Sequence, residues 1–241
     1  HIYPLRPGPE TIASGHGTAL AGLPDSATQV EPQPLEFAVP RPSAVLAAVW
    51  TALLLALPAS AATEGPSDVV ARLNEGLLGI MQKAESLGYE GRMEAFADVL
   101  APTYHLRVMS RASVGAYWRK LDIPHKKRLI DAFTRMTYAT YARRFTGYSG
   151  ERFEIVGEEP SIRDLVLVRT RLVKRNGEAV DLNYLTKEYK VGWRIVDVYL
   201  EAKYSELARL RAEYTSVLKR DGFEGLIAKI EAQIVDAAGS N

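Results

Sequence analysis

The chain has 241 residues, 47% of them hydrophobic and 24% charged, with a formal net charge of +1. A balance this even argues against a nucleic-acid binder, which concentrates basic residues on one face. The absence of cysteine removes disulfides, thiol catalysis and cysteine–metal sites, so the fold must rest on its core.

Residues 1–40 are rich in Pro and Gly with no sustained apolar period, which predicts disorder or an extension upstream of the true start. Residues 44–57 form an apolar run broken only by Thr51. The run is shorter than the roughly 20 residues a bilayer span needs. Pro58 then interrupts it, and Ala59-Ser60-Ala61 supplies the small residues of a cleavage site. With Arg41 as the nearby positive charge, residues 41–61 read as a secretory signal peptide cut after Ala61. Export follows, and residues 62–241 remain as one soluble domain large enough for a real core. Residues 1–61 hold two arginines and four acids, so the remainder carries +3.

Helices come first in that remainder. Ser67 is placed to cap a helix over residues 67–87, with Val70, Leu73, Leu77, Leu78 and Met81 on one stripe and Gly88 at its end. A short helix over 91–100 turns Met93, Phe96, Ala97 and Leu100 inward. A helical turn or two follows over 103–109, and Ser110 is placed to cap another short helix carrying Val114, Tyr117 and Trp118. The strongest helix runs over 124–145, with Asp122 as cap and Pro124 in its first turn. Its inward stripe is Leu129, Phe133, Met136, Thr137, Thr140 and Tyr141.

The period then switches to two. Strands are predicted over 152–156, 164–173, 180–189 and 193–200, with a hairpin turn at Asn176-Gly177 and another near Gly192. Helices over 204–220 and 223–237 follow, divided at Asp221-Gly222. Segregated helices and consecutive antiparallel strands give an α+β fold of four strands and about seven helices. Leu165, Val166, Leu167 and Val168 put apolar groups on both faces of their strand. Alternation places Trp193, Ile195 and Tyr199 on one face and Val196, Val198 and Leu200 on the other. Such a sheet is either covered by helices on both sides or curled around something apolar.

Catalytic patterns are sparse. His105 and His125 have no ligand-type neighbour three or four residues on, so no metal site is expected. Nucleophile-elbow, phosphate-loop and dinucleotide-loop motifs are missing, and neither a cofactor nor a catalytic residue is assigned. Asp197, mid-strand among apolar neighbours, and Glu188 are the acids an enzymatic alternative would use, although Arg194 or Arg211 is a ready ion partner for Asp197.

Two stretches carry a family resemblance. YWRKLDIPHKKRLIDAFTRMTYATYARRF, with Trp118, Phe133 and Tyr141, resembles a hallmark of the toluene-tolerance family, the Mla-type periplasmic phospholipid-binding proteins. GWRIVDVYLEAKYSELARLRAEYTSVLKRDGFEGLIAKIE resembles that family's C-terminal signature through Trp193, Asp197, Arg211, Tyr214, and Gly222 before Leu226. The similarity spans residues 67–234. One departure stands out: many carriers read Gly-Val-Ser-Leu where this chain has Ala202-Lys203-Tyr204-Ser205-Glu206-Leu207, which looks more like the branch associated with hopanoid biosynthesis.

The resemblance implies a non-enzymatic periplasmic carrier. Its cargo would be phospholipid or a hopanoid-type lipid, passed between an outer-membrane lipoprotein complex and an inner-membrane ABC transporter by a monomer. It also implies an apolar cavity between a curved sheet and the helices, since each buried CH₂ of an acyl chain gives about 0.8 kcal/mol. The candidate lining is Val166, Val168, Leu182, Tyr184, Val196 and Val198 from the sheet, with Leu129, Phe133, Met136 and Tyr141 from the facing helix. Arg143, Arg144, Arg169 and Arg171 are candidates for a phosphate contact. The alternatives are an accessory enzyme of lipid metabolism using the same cavity, and an adaptor that docks on a transporter without lipid.

Overall fold

The computed structural model describes residues 64–201 and 203–239. The disordered segment and signal peptide expected over 1–61 lie outside them. Helices α1 (Pro66–Gln82), α2 (Ala84–Thr103) and α3 (Leu106–Val114) are followed by a 3₁₀ turn at Gly115–Lys120 and the long α4 (Ile123–Arg144). Strands β1 (Arg152–Pro160), β2 (Leu165–Val173), β3 (Ala179–Tyr189) and β4 (Gly192–Leu200) come next, then a two-residue β5 (Tyr204–Ser205) and α5 (Glu206–Gly239). The sheet is antiparallel throughout, in the order β1-β2-β3-β4-β5. No helix among the described residues is long and apolar enough to cross a membrane.

The α+β reading holds, with differences in count. Five α-helices stand where about seven were expected, and the first ends at Gln82 rather than at Gly88; Gly88 (φ 60°) and Gly222 (φ 69°) instead turn the chain within α2 and α5 without an intervening loop. Both glycines adopt a left-handed φ that a Cβ would penalise. The pieces expected over 204–220 and 223–237 therefore fall inside α5, and those expected over 103–109 and from Ser110 fall in α3 and the 3₁₀ turn. The fifth strand, β5, is too short to leave a period-two signature.

Capping differs in two places. Gly65, not Ser67, precedes the first turn of α1, and its N–H donates to Asp68 Oδ2 at 2.7 Å. Ser110 starts no helix. It is buried inside α3, where its hydroxyl donates to Arg107 O at 3.0 Å. Asp122 caps α4 as expected, accepting the His125 N–H at 2.8 Å, with Pro124 in the first turn.

The core lies between the helices and one face of the sheet. It gathers Val69, Val70, Leu73 and Leu77 of α1, Phe96 and Leu100 of α2, and Leu129 and Phe133 of α4. Val168, Tyr184 and Ile195 of the sheet join them, with Tyr214, Leu226 and Ile230 of α5. Arg92 of α2, only 5% exposed, donates to the carbonyls of Ala142 and Ala84, linking the end of α4 to the start of its own helix. Outside the core, Arg128–Glu224 and Arg135–Glu231 tie α4 to α5.

Two β-bulges correct the strict alternation read from the sequence. One falls between Ile155 and Gly157 of β1, the other opposite Leu185/Thr186 on β4. Across the second, Thr186 pairs with Ile195 while Tyr184 pairs with Val198. Ile195 and Val198 therefore share the helix-facing side, although simple alternation assigned them to opposite faces. A bulge inserts one extra residue, here Val196, and increases the local bend.

Candidate functional site

The residues proposed from sequence for a lipid slot are brought together in large part. Leu129, Phe133 and Met136 are buried on one stripe of α4, and Tyr141 packs against the same cluster a turn further on. From the sheet, Val168 and Tyr184 are fully buried in that cluster, with Leu182 and Val198 half-buried against it. Val166 and Val196 lie outside it. Val196 is buried but set apart from the cluster as the bulged residue, and half-buried Val166 sits toward the other end of β2.

The open apolar cavity expected between sheet and helices is not seen among the described residues. Its lining is packed side chain against side chain. Two open surface hollows lie elsewhere. One, of about 410 Å³, runs between α4 and α5 along Arg128, Asp131, Arg135 and Glu231. The other, of about 370 Å³, lies beside Met81, Gln82 and Tyr148.

At the centre of the packed layer is a group of tyrosines. The hydroxyls of Tyr104 and Tyr141 are 2.5 Å apart, with the rings edge to face. Tyr104 stands in the short link between α2 and α3, and it is fixed there because it bridges to Ile195 of β4 and the next amide, His105, donates to Ile195 O at 2.9 Å. Tyr184 points from β3 into the same region, 0% exposed, and its hydroxyl finds no hydrogen-bond partner. Burial pushes all three phenols above their ordinary value, Tyr104 and Tyr184 strongly, and mutual proximity adds to it for those two. They are neutral donors at physiological pH. An unpaired buried hydroxyl costs about 1–3 kcal/mol. Tyr141 also stacks on Phe145 at 5.5 Å, and both rings touch Phe96, so an aromatic column leads from the tyrosines to the end of α4.

Beside Tyr184 the β2–β3 ladder is rebuilt with side chains. Regular pairing runs through Val168–Tyr184 and resumes at Arg171–Asp181 in the same register. On the rung between, the Thr170 N–H donates to Asn183 Oδ1 at 3.1 Å and the Thr170 hydroxyl donates to Leu182 O. Both side chains are buried. Thr170 and Asn183 thus take bonds that main chain normally carries.

The candidate phosphate contacts separate. Arg169 and Arg171 alternate with the core-facing Val168 and Thr170, are exposed, and pair with Glu159 at 3.1 Å and Asp181 at 3.3 Å. They lie on the face away from the tyrosines. Arg144 is near the tyrosine group, acts electrostatically on Tyr141, and sits 3.8 Å from Glu206. Arg143 is exposed near Tyr89.

Asp197 is explained by structure rather than chemistry. Its Oδ1 accepts the N–H groups of Val198 at 2.8 Å and Leu207 at 3.0 Å, and its Oδ2 accepts the Ser205 hydroxyl at 2.6 Å. Backbone amides and a serine therefore stand where an arginine partner was expected. Burial nevertheless holds the carboxyl above its ordinary value. Glu188 is exposed opposite Trp193.

Sequence reasoning missed Tyr104. The helical turn expected over 103–109 took it in, but Tyr104 is extended in the link between α2 and α3, where helical periodicity assigns no inward direction and only the Pro102 break two residues earlier marks the spot.

The fold has a solved counterpart. The phospholipid-binding protein from Ralstonia solanacearum, determined in complex with a phospholipid, superposes with a TM-score of 0.64 over 72% of this chain and 98% of that one. Sequence identity is 17%, so the likeness is one of fold. No curated protein matches in sequence. Residues 71–232 match the family described as MlaC protein, a stretch that begins in α1 and ends in the second half of α5. The chain belongs to the MlaC family of non-enzymatic periplasmic lipid carriers.

Proposed function

We propose that this protein is exported by a signal peptide over residues 41–61, cleaved after Ala61, and that residues 62–241 act as a single phospholipid-carrying domain in the periplasm. The family match over 71–232 is the observation that carries this reading. The phospholipid in the Ralstonia protein of the same fold supports it. The carrier passes lipid between an inner-membrane ABC transporter and an outer-membrane lipoprotein complex. Acyl chains enter the layer between β2–β4 and α4, among Leu129, Phe133, Met136, Tyr141, Val168, Leu182, Tyr184 and Val198, with Val166 and Val196 of the same strands at its margin. Separating that layer exposes apolar surface, and an acyl chain recovers the lost burial at about 0.8 kcal/mol per CH₂. A hopanoid-type cargo rests on the Ala202-Lys203-Tyr204-Ser205-Glu206-Leu207 departure.

Native mass spectrometry of protein expressed into a periplasm tests the proposal. A stoichiometric phospholipid adduct on a chain starting at Ala62 is the expected result. A polycyclic lipid adduct would redirect the cargo to the hopanoid class. A mass free of lipid would overturn the carrier and favour an adaptor.

A further inference from the structure

Tyr104, Tyr141 and Tyr184 bring three phenolic hydroxyls into one buried region, yet only one hydrogen bond joins them, between Tyr104 and Tyr141. One proton of that pair is spent in the bond. The second proton of the pair and that of Tyr184 are left, together with their acceptor lone pairs. Natural cores seldom leave buried hydroxyls unpaired without a functional reason. A phenylalanine at 184 would keep the ring packing without the orphaned group.

The group has the chemistry of a recognition site for an uncharged oxygen. Its members donate hydrogen bonds but bring no positive charge, so they suit a carbonyl or hydroxyl better than a phosphate. The positive charge lies farther out. Arg144, on the last turn of α4 three residues beyond Tyr141, is half-exposed at the surface end of the aromatic column. A lipid lying along this line would meet a cation near the surface, then donors for a neutral oxygen, then the apolar stripe of Leu129, Phe133 and Met136.

Resting on the carrier reading above, we propose that Tyr184, with the Tyr104–Tyr141 pair, is a specificity site that hydrogen-bonds an uncharged oxygen of the cargo lipid. Two sources present that chemistry: the ester carbonyl of a diacyl lipid and the hydroxyl of a lipid alcohol. The site discriminates lipids by their linkage or hydroxyl, separately from the phosphate headgroup.

The test uses the full chain, wild type and Tyr184→Phe, mixed with three vesicle types. The first is diester phosphatidylglycerol. The second is diether phosphatidylglycerol of the same chain length, which lacks the carbonyls. The third is the diether lipid doped with a polycyclic alcohol. Lipid extracted per protein is quantified by mass spectrometry, and thermal unfolding confirms that the variant folds. Loss of a single hydrogen bond predicts about a tenfold preference of wild type for diester over diether lipid, reduced to near unity in Tyr184→Phe. If the hydroxyl is the source, the preference appears instead for the alcohol over the diether lipid and is lost in the same variant. Equal extraction of all lipids by wild type, or an unchanged preference in Tyr184→Phe, overturns the specificity site and leaves the carrier standing. If wild type extracts no lipid of any kind, the carrier reading fails and the site falls with it.

Discussion

The Asp197 carboxylate accepts the Ser205 hydroxyl at 2.6 Å, and through this bond the last long strand holds the entry to α5. The same carboxylate receives the Leu207 N–H in the first turn of α5, and Ser205 Oγ in turn accepts the Ala208 N–H at 2.9 Å. Asp197→Ala leaves those donors uncovered and should destabilise the protein by about 2–3 kcal/mol. Asp197→Asn keeps an oxygen for both amides and should stay within about 1 kcal/mol of wild type. Burial raises the folded-state pKa of Asp197 above its unfolded value, so the folded state holds the proton more tightly. Its contribution to stability therefore declines as pH rises from the ordinary carboxylate value through the raised one. Unfolding midpoints over that interval should show the step in wild type but not in Asp197→Asn, and a step of equal size in both would exclude Asp197 as its source.

Asp122 behaves in the opposite sense. The His125 N–H, then the His125 ring, hold its carboxyl below the ordinary value. A depressed folded-state pKa gives stability that is present above the unfolded value and lost as pH falls through the lowered one. Asp122→Ala should lower the thermal midpoint at neutral pH, with the gap from wild type closing in acid. Asp122→Ser, which retains a cap oxygen, should recover most of the loss. A gap that persists unchanged at the acid end would refute the carboxylate's role.

Gly115 ends α3 with φ +54°, and a Cβ built there would lie 2.9 Å from Arg211 Nε. Two penalties thus meet at one position, backbone strain and contact with the guanidinium. Gly115→Ala should cost about 1–3 kcal/mol. In an Arg211→Ala background the contact disappears while the strain remains, so the cost of Gly115→Ala should shrink without reaching zero. Chemical denaturation of the four proteins gives the comparison.

Gly76 of α1 faces Val99 of α2 so closely that a Cβ would sit 2.5 Å from Val99 Cγ1. Alanine is the better helix former by about 1 kcal/mol, but overpacking costs about 1–3 kcal/mol. Gly76→Ala should therefore be net destabilising. Combined with Val99→Ala it should cost at least about 1 kcal/mol less than the sum of the two single changes, since residues in contact couple. Simple additivity would mean that α1 and α2 shift apart freely.

The long elements were legible because their signals are local. Asp122 followed by Pro124 marks the start of α4, and Asn176-Gly177 marks the β2–β3 turn. Leu129, Phe133 and Met136 could be placed on an inward face by period alone. What the sequence hid depends on partners far along the chain. Val196 read as sharing a face with Val198 until a bulge against β3 separated the two, although Val196 remains buried. Tyr104 gained its direction only by bridging to Ile195 on a strand 91 residues later. The partners of Asp197 were hidden too, because backbone amides carry no mark in a sequence, whereas arginines do.

The Thr170–Asn183 rung bears on how this sheet can deform. A main-chain ladder widens only by giving up bonds whose geometry is fixed by the peptide planes. Here the Thr170 amide is met by the Asn183 side chain and the Leu182 carbonyl by the Thr170 hydroxyl, each side chain with its own rotatable χ angles. Strands β2 and β3 thus have, next to Tyr184, a seam with slack: they can separate slightly while both bonds follow the movement. This side-chain seam adjoins Tyr184, the residue proposed to meet the cargo lipid.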